Sequence, residues 1–264
     1  MKTIKLLLSL LCLTSISYGA FAQSLTAKQV QEKCIEATRV KGSEALSTLT
    51  IISKKGQKRV RKMSMVSKLY DNGNTEKKLI KFTEPADVKG TGFLSFDYKD
   101  KADDKWIYMP ALRKIRRIIS SENAKSFMGS EFSYADMSLP TVEDFTYKFL
   151  DVETINGELC YAIEITPKDD EIANENGFSK KISYISKNDF VMRKAFYYNL
   201  SGEKEKEMTV GEVIEVDKTN HRYKIKEMTM INVLNGRKSI STIDQIQYNS
   251  KVSNDYFTTR FLGK

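Results

Sequence analysis

From Leu46 to Tyr248 the chain reads with a period of two, and this pattern limits its fold more than any other feature. In "ELCYAIEIT", Leu159, Tyr161, Ile163 and Ile165 share one parity, while Glu158, Glu164 and Thr166 take the other. Successive side chains of a strand point to opposite faces, so such a run fits a pleated strand with one apolar side. Similar runs repeat along the chain. Turn-forming residues separate them: Gly56-Gln57, Asp71-Asn72-Gly73-Asn74, Asn188-Asp189, Ser201-Gly202 and Asn235-Gly236. About ten or eleven strands with short connections imply a mainly β fold with a few helices, an antiparallel sandwich or barrel.

Two departures from the alternation are informative. "LTAKQVQEKCIEATRV" has helical spacing, with Val30, Cys34 and Ala37 on one face, Ile35 widening it, Thr26 as N-cap and Gly42 marking the end. In "HRYKIKEMTMINV", Tyr223 and Ile225 have one parity and Met228 and Met230 the other, which predicts a bulge or strong bend. The final "SNDYFTTRFLGK" reads as a helical turn that packs Phe257 and Phe261.

The first residues point to export. Lys2 and Lys5 precede an apolar run that ends in Ala20-Phe21-Ala22, the pattern of a signal peptide (residues 1–22) cleaved near Ala22. That run is shorter than the roughly 20 apolar residues of a membrane span. Cys12 follows the bulky Leu11, which argues against lipid modification. Residues 23–264 then form a single domain, long enough for a sizeable core. Losing Lys2 and Lys5 lowers the formal net charge from +9 to +7. The remaining Lys and Arg are scattered along the strands next to many Asp and Glu, as on a solvated β surface, and nucleic acid is not an expected partner. Cys34 and Cys160 either pair or stay free; one is placed on a helix and the other in a strand, and nothing local fixes their separation.

Catalytic motifs are missing. His221 is the single histidine, at the start of a strand. There is no nucleophile elbow, metalloprotease helix, P-loop or dinucleotide fingerprint. The pairs Asp103-Asp104 and Asp169-Asp170 fit charged turns. The expectation is a protein that is not an enzyme and holds neither metal nor cofactor.

The middle of the chain is different. Trp106, Tyr108, Met109 and Pro110 lead into a basic segment with Arg113, Arg116 and Arg117. "SFMGSEFSYADM" follows, with Phe127, Met128, Phe132, Tyr134 and Met137 on no strand period and Ser133 placed to cap a short helix. These side chains either plug the open end of a sheet as core or line an apolar cavity.

The segments "KGTGFL", "DDKWIYMPALRKIRRI" and "SFMGSEFSYADM", from about Lys89 to Met137, together resemble the hallmark region of the LolA-like outer membrane lipoprotein-sorting proteins of Gram-negative bacteria. The resemblance implies a curved, incomplete antiparallel β-barrel whose apolar concave face is covered by helices. It implies a periplasmic monomer that carries lipids or lipidated proteins. Val30, Cys34, Ile35 and Ala37 would face the concavity, and residues 127–137 would form a lid or mouth, with Gly129 as hinge. Leu94, Phe96, Trp106, Tyr108, Met109, Leu159, Tyr161, Ile163, Phe196 and Tyr198 would line it. Arg113, Arg116 and Arg117 would meet headgroups or a partner. An alternative is an accessory module of an inner-membrane transporter of the resistance-nodulation-division class, with which such proteins are associated.

Overall fold

The computed structural model describes residues 25–264; the expected signal peptide, Cys12 included, lies outside the described residues. Helix α1 (Ala27–Thr38) opens the domain. Its N-cap Thr26 accepts from the Gln29 amide, and the Gln29 side chain accepts from the Thr26 amide, so two otherwise orphaned donors are satisfied. Six strands follow: β1 (Gly42–Ile52), β2 (Lys58–Tyr70), β3 (Thr75–Glu84), β4 (Gly92–Tyr98), β5 (Asp104–Met109) and β6 (Lys114–Ile118). After a long connection come β7 (Phe145–Ile155), β8 (Glu158–Pro167), helix α2 (Asp170–Asn176), β9 (Lys180–Ser186) and β10 (Met192–Tyr198). Strands β11 (Lys204–Asp217), β12 (Arg222–Asn232) and β13 (Lys238–Tyr248) and helix α3 (Thr259–Leu262) complete the fold.

All thirteen strands form one antiparallel sheet in the order β6-β5-β4-β3-β2-β1-β13-β12-β11-β10-β9-β8-β7. The chain therefore starts in the middle, meanders to one edge, crosses to the other edge and meanders back until β13 pairs with β1. Edges β6 and β7 do not pair, so the barrel stays open. The sheet is nevertheless strongly curved, because a single apolar cluster joins Phe93 and Ile107 near one edge to Ile163, Ile165 and Ile185 near the other.

The strand count exceeds the expected ten or eleven for a physical reason. Strand β7 is an almost wholly exposed edge, and a register shift between Phe149 and Asp151 breaks its alternation. Strand β6 is exposed too, except at Ile118. Gly42 does not end the helix: it begins β1, where a Cβ would lie 2.3 Å from the carbonyl oxygen of Asn249. The parity switch in β12 coincides with register shifts around Glu212, opposite Glu227, so Ile225 and Met228 both reach the interior.

The convex side has its own core. Leu79 and Leu94 pack against Val252, Phe257 and Leu262, so the C-terminal segment covers the outer face of β3 and β4. A third cluster, Cys160, Ala162 and Tyr184, lies on the opposite face of β8 and β9 from Ile163 and Ile185.

Candidate functional site: a cavity under helix α1

Helix α1 contacts β12, β7 and the 3-10 turn Val142–Asp144, which places it across the mouth of the half-barrel. Val30 enters the core, and ion pairs tie the helix down at both ends: Lys28 with Glu143 at 2.6 Å, and Glu36 with Arg222. Beneath it lies a cavity of about 340 Å³. Cys34 and Ile35 form its roof, Ile165, Ile185, Met208 and Met228 its wall, and Phe132, Phe145 and Phe178 one end. Aromatic packing fixes that end, with the Phe145 and Phe178 rings 6.0 Å apart and Phe178 edge-on to Tyr197 at 5.8 Å. A second depression of about 540 Å³ lies on the other flank of α1 and shares Ile35, Leu139 and Pro140 with the cavity. Those three residues form the partition between the two spaces.

The cavity is not uniformly apolar. Glu76, Lys78, Asp136, Lys181 and Lys224 all line it. Asp136 is satisfied: it accepts from the Ser133 amide and hydroxyl, both at 2.8 Å, and from the Tyr197 hydroxyl at 3.3 Å. Lys78 donates to the Met137 carbonyl at 2.7 Å and pairs with Asp97 at 3.4 Å. Burial pushes the Asp97 carboxyl up to about 6; Lys78 opposes the shift and Asp103 and Glu76 reinforce it. Glu76 is 2% exposed and its Oε1 has no hydrogen-bond partner. Burial disfavours its charge, but Lys78, Lys224 and Arg39 outweigh that and hold the carboxyl below its usual range. Burial also pushes the Cys34 thiol up to about 11. Cys34 and Cys160 are both free, in different clusters.

The segment "SFMGSEFSYADM" is the connection between the two sheet edges, and it lies as a plug inside the half-barrel. Phe127 and Phe132 are 2% and 1% exposed. Arg61 donates to the Met128 carbonyl and Arg237 to that of Gly129 at 2.8 Å, while the Glu131 amide donates to Ser239 at 2.9 Å. Arg237 Nε also lies 2.9 Å from Glu131 Oε1, an ion pair without hydrogen-bond alignment. Consecutive positive φ angles at Met128 (53°) and Gly129 (73°) turn the chain back on itself, and a Cβ on Gly129 would meet nothing. Ser133 and Asp136 exchange hydrogen bonds around a single 3-10 turn, Ala135–Met137, where a short helix is expected.

The predicted lining residues separate into groups. Phe132 lines the cavity, as do Cys34 and Ile35. Phe127, Tyr134 and Ile163 are buried in the concave core beside it, and Met109, Met128, Met137 and Tyr161 pack on that core. Leu94, Phe96, Trp106 and Tyr108 face the other way, onto the C-terminal segment. Phe196 faces Tyr184 at 5.8 Å on the third cluster, and Leu159 is exposed. The inversion has a plain cause. In β4 both faces are buried, so the apolar residues of either parity qualify and alternation cannot say which is inward. Arg116 pairs with Glu122 and Arg117 with Asp104; Arg113 has no such pair among the described residues and sits at the hairpin tip with φ 47°. Sequence reasoning missed Glu76, Lys78, Lys181 and Lys224, because a charged residue in an alternating strand reads as solvent-facing.

Among the described residues no helix is long and apolar enough to cross a membrane, and no group of acidic, His or Cys side chains is arranged to hold a metal.

Comparison with known proteins agrees with this geometry. A family model described as "Uncharacterized protein"-like matches residues 74–264. No protein of curated function matches the sequence. A domain from Vibrio parahaemolyticus described as an outer membrane lipoprotein-sorting protein is 25% identical, with a TM-score of 0.82 over 90% of this chain and 98% of that one. A DUF1329 family protein from Desulfovibrio piger is also 25% identical, with a TM-score of 0.81 over 89% and 97% of the two chains. A LolA superfamily protein from Nitrosomonas europaea, 19% identical, shares the fold with a TM-score of 0.68 over 90% and 100%. The chain belongs to the family whose model it matches, and its fold is that of the LolA-like outer membrane lipoprotein-sorting proteins.

Proposed function

We propose that this protein is a periplasmic carrier that holds an acyl chain of a lipid or lipidated protein in the cavity beneath α1. The observation that carries the proposal is a cavity with an apolar wall inside an unclosed barrel, roofed by a helix whose ion pairs, Lys28–Glu143 and Glu36–Arg222, lie at its ends. Each shielded methylene contributes about 0.8 kcal/mol, so a sixteen-carbon chain gains on the order of 12 kcal/mol when fully covered. Release then needs α1 to lift. The partition of Ile35, Leu139 and Pro140 would part as it does, joining the two spaces. Non-covalent shielding requires no catalytic group, which fits a carrier that is not an enzyme. Native mass spectrometry after gentle purification should find bound lipid, and a fluorescent acyl probe should be displaced by it. A protein free of lipid that also fails to bind the probe would refute the proposal.

A second reading, an accessory module docking on an inner-membrane transporter of the resistance-nodulation-division class, draws on the β5–β6 hairpin. Leu112 and Ile115 are 62% and 39% exposed there, beside Arg113 and Lys114. Substituting Leu112 and Arg113 by Ser should abolish co-purification with such a transporter while acyl-probe binding survives. Phe127 and Phe132 cannot serve for this test, because both are core.

A further inference from the structure

Between Glu44 and Asp71 the chain carries seven Lys or Arg residues and no acid, unlike the mixed charge elsewhere. Strands β1 and β2 fold this stretch into a hairpin whose tip, residues 53–57, stands at one rim of the sheet. Register places two further tips beside it. Ile52 pairs with Lys58 and Lys238, Lys238 with Ile231, Ile231 with Glu207 and Glu207 with Phe196. The β12–β13 and β10–β11 turns therefore end along the same rim. The tips meet in series: the Lys54 side chain would lie 3.4 Å from a Cβ on Gly236, and the Val233 amide donates to the Glu205 carbonyl at 2.8 Å. Leu200, Val233 and Leu234 are 52%, 42% and 56% exposed there. Residues 53–59, 199–204 and 232–237 hold six cations against one acid, Glu203.

We propose that this rim docks on an anionic phospholipid bilayer, with Leu200, Val233 and Leu234 set among the headgroups and Lys54, Lys55, Lys58 and Arg59 meeting the phosphates. The proposal does not rest on what the cavity holds. Lys62 pairs with Glu84 at 3.1 Å, whereas those four cations have no ion pair among the described residues. Arg61 and Arg237 are occupied, since they hold the Met128 and Gly129 carbonyls of the plug. Burial and the nearby Arg59 both depress the Arg61 guanidinium, with Asp87 opposing, so like charges are crowded here. An anionic surface relieves that crowding, and each Lys or Arg beside it strengthens association by about fivefold. Apolar side chains at turn tips, ringed by cations with long apolar stems, suit the headgroup layer, which accepts both at once.

The test is co-sedimentation with vesicles, using protein expressed from its complete sequence and purified as the cell processes it. Mixed phosphatidylglycerol–phosphatidylcholine vesicles should bind it far more tightly than phosphatidylcholine alone. That binding should vanish at about 1 M salt, where charges are screened beyond about 3 Å. Lys54→Gln with Lys55→Gln should weaken it about 25-fold, and Val233→Ser with Leu234→Ser about tenfold. Lys218→Gln with Lys251→Gln, exposed beyond the opposite ends of β11 and β13, should leave it unchanged. Acyl-probe binding should match the parent in all three variants. No preference for the mixed vesicles, or an equal loss in the Lys218 and Lys251 variant, overturns the proposal and leaves the carrier reading standing. Vesicle binding that survives both rim variants refutes the placement. A parent protein that ignores both vesicles but is retained by immobilised polyaspartate would make the rim a site for an acidic protein face and overturn the bilayer.

Discussion

Truncating Phe127 to Ala separates a plug from a lid. Its ring is 2% exposed and touches three others, at 5.4 Å from Phe93, 5.7 Å from Tyr134 and 6.1 Å from Phe82. Removing a buried Phe side chain costs about 3–5 kcal/mol, the transfer of the lost atoms plus the cavity left behind. Aromatic pairs contribute about 0.5–1.5 kcal/mol beyond area, and three of them argue for the upper half of that range. At about 2–4 °C per kcal/mol for a domain of this size, the melting temperature should fall by roughly 10–15 °C. Urea unfolding followed by tryptophan fluorescence is the assay, with Trp106 as reporter on the opposite face. The midpoint should drop while the m-value stays constant. The control Leu234→Ser, at a site 56% exposed, should stay within about 0.5 kcal/mol. A loss below about 1 kcal/mol for Phe127→Ala, together with altered acyl-probe affinity, would mean that the segment moves as a lid and that the packing argument is wrong.

Asp97 should leave a mark on the pH dependence of stability. Its carboxyl titrates near 6 when folded, against an ordinary 3.8, so the folded state binds the proton more tightly. The stabilisation, up to about 3 kcal/mol, is present below about 4 and is lost as pH rises through about 6. The stability of the parent protein relative to Asp97→Asn should therefore fall across that window; a flat or rising difference would contradict it. Cys34 and Cys160 should both resist a thiol reagent in the native protein and both react after denaturation, since burial raises each thiol. One fast-reacting thiol, or none after unfolding without reductant, would refute this. Gly42→Ala should destabilise by about 1–3 kcal/mol, because the new Cβ meets backbone at 2.3 Å; calorimetry showing no change would mean that β1 shifts freely at Asn249.

Much of the sheet was legible because its local and global signals agree. Turn glycines 56, 73, 202 and 236 all adopt positive φ, and each stands where the alternation breaks. The capping box at Thr26 and the β12 parity switch were readable for the same reason. Burial on the second face was not. Phe96 and Trp106, 5.1 Å apart, look like a cavity lining in the sequence, yet a helical turn more than 150 residues later covers them. The charged half of the cavity was hidden as well. Lys78 shares its strand face with Ile80 and Phe82, Lys181 with Ile185 and Lys224 with Met228, so alternation itself places them on the concave side, where a charged residue is not expected.

The seam between β1 and β13 has a consequence for how the chain folds. Thr48 and Asp244, 196 residues apart, share a hydrogen bond of 2.7 Å across it. A ladder of such sequence separation is slow to form, because loop-closure entropy must be met before the contacts repay it. Until β13 arrives, β1 presents an unpaired edge for β-addition by other chains. Refolding should thus be slower than for a helical domain of equal length, with aggregation rising steeply with concentration while the seam is open.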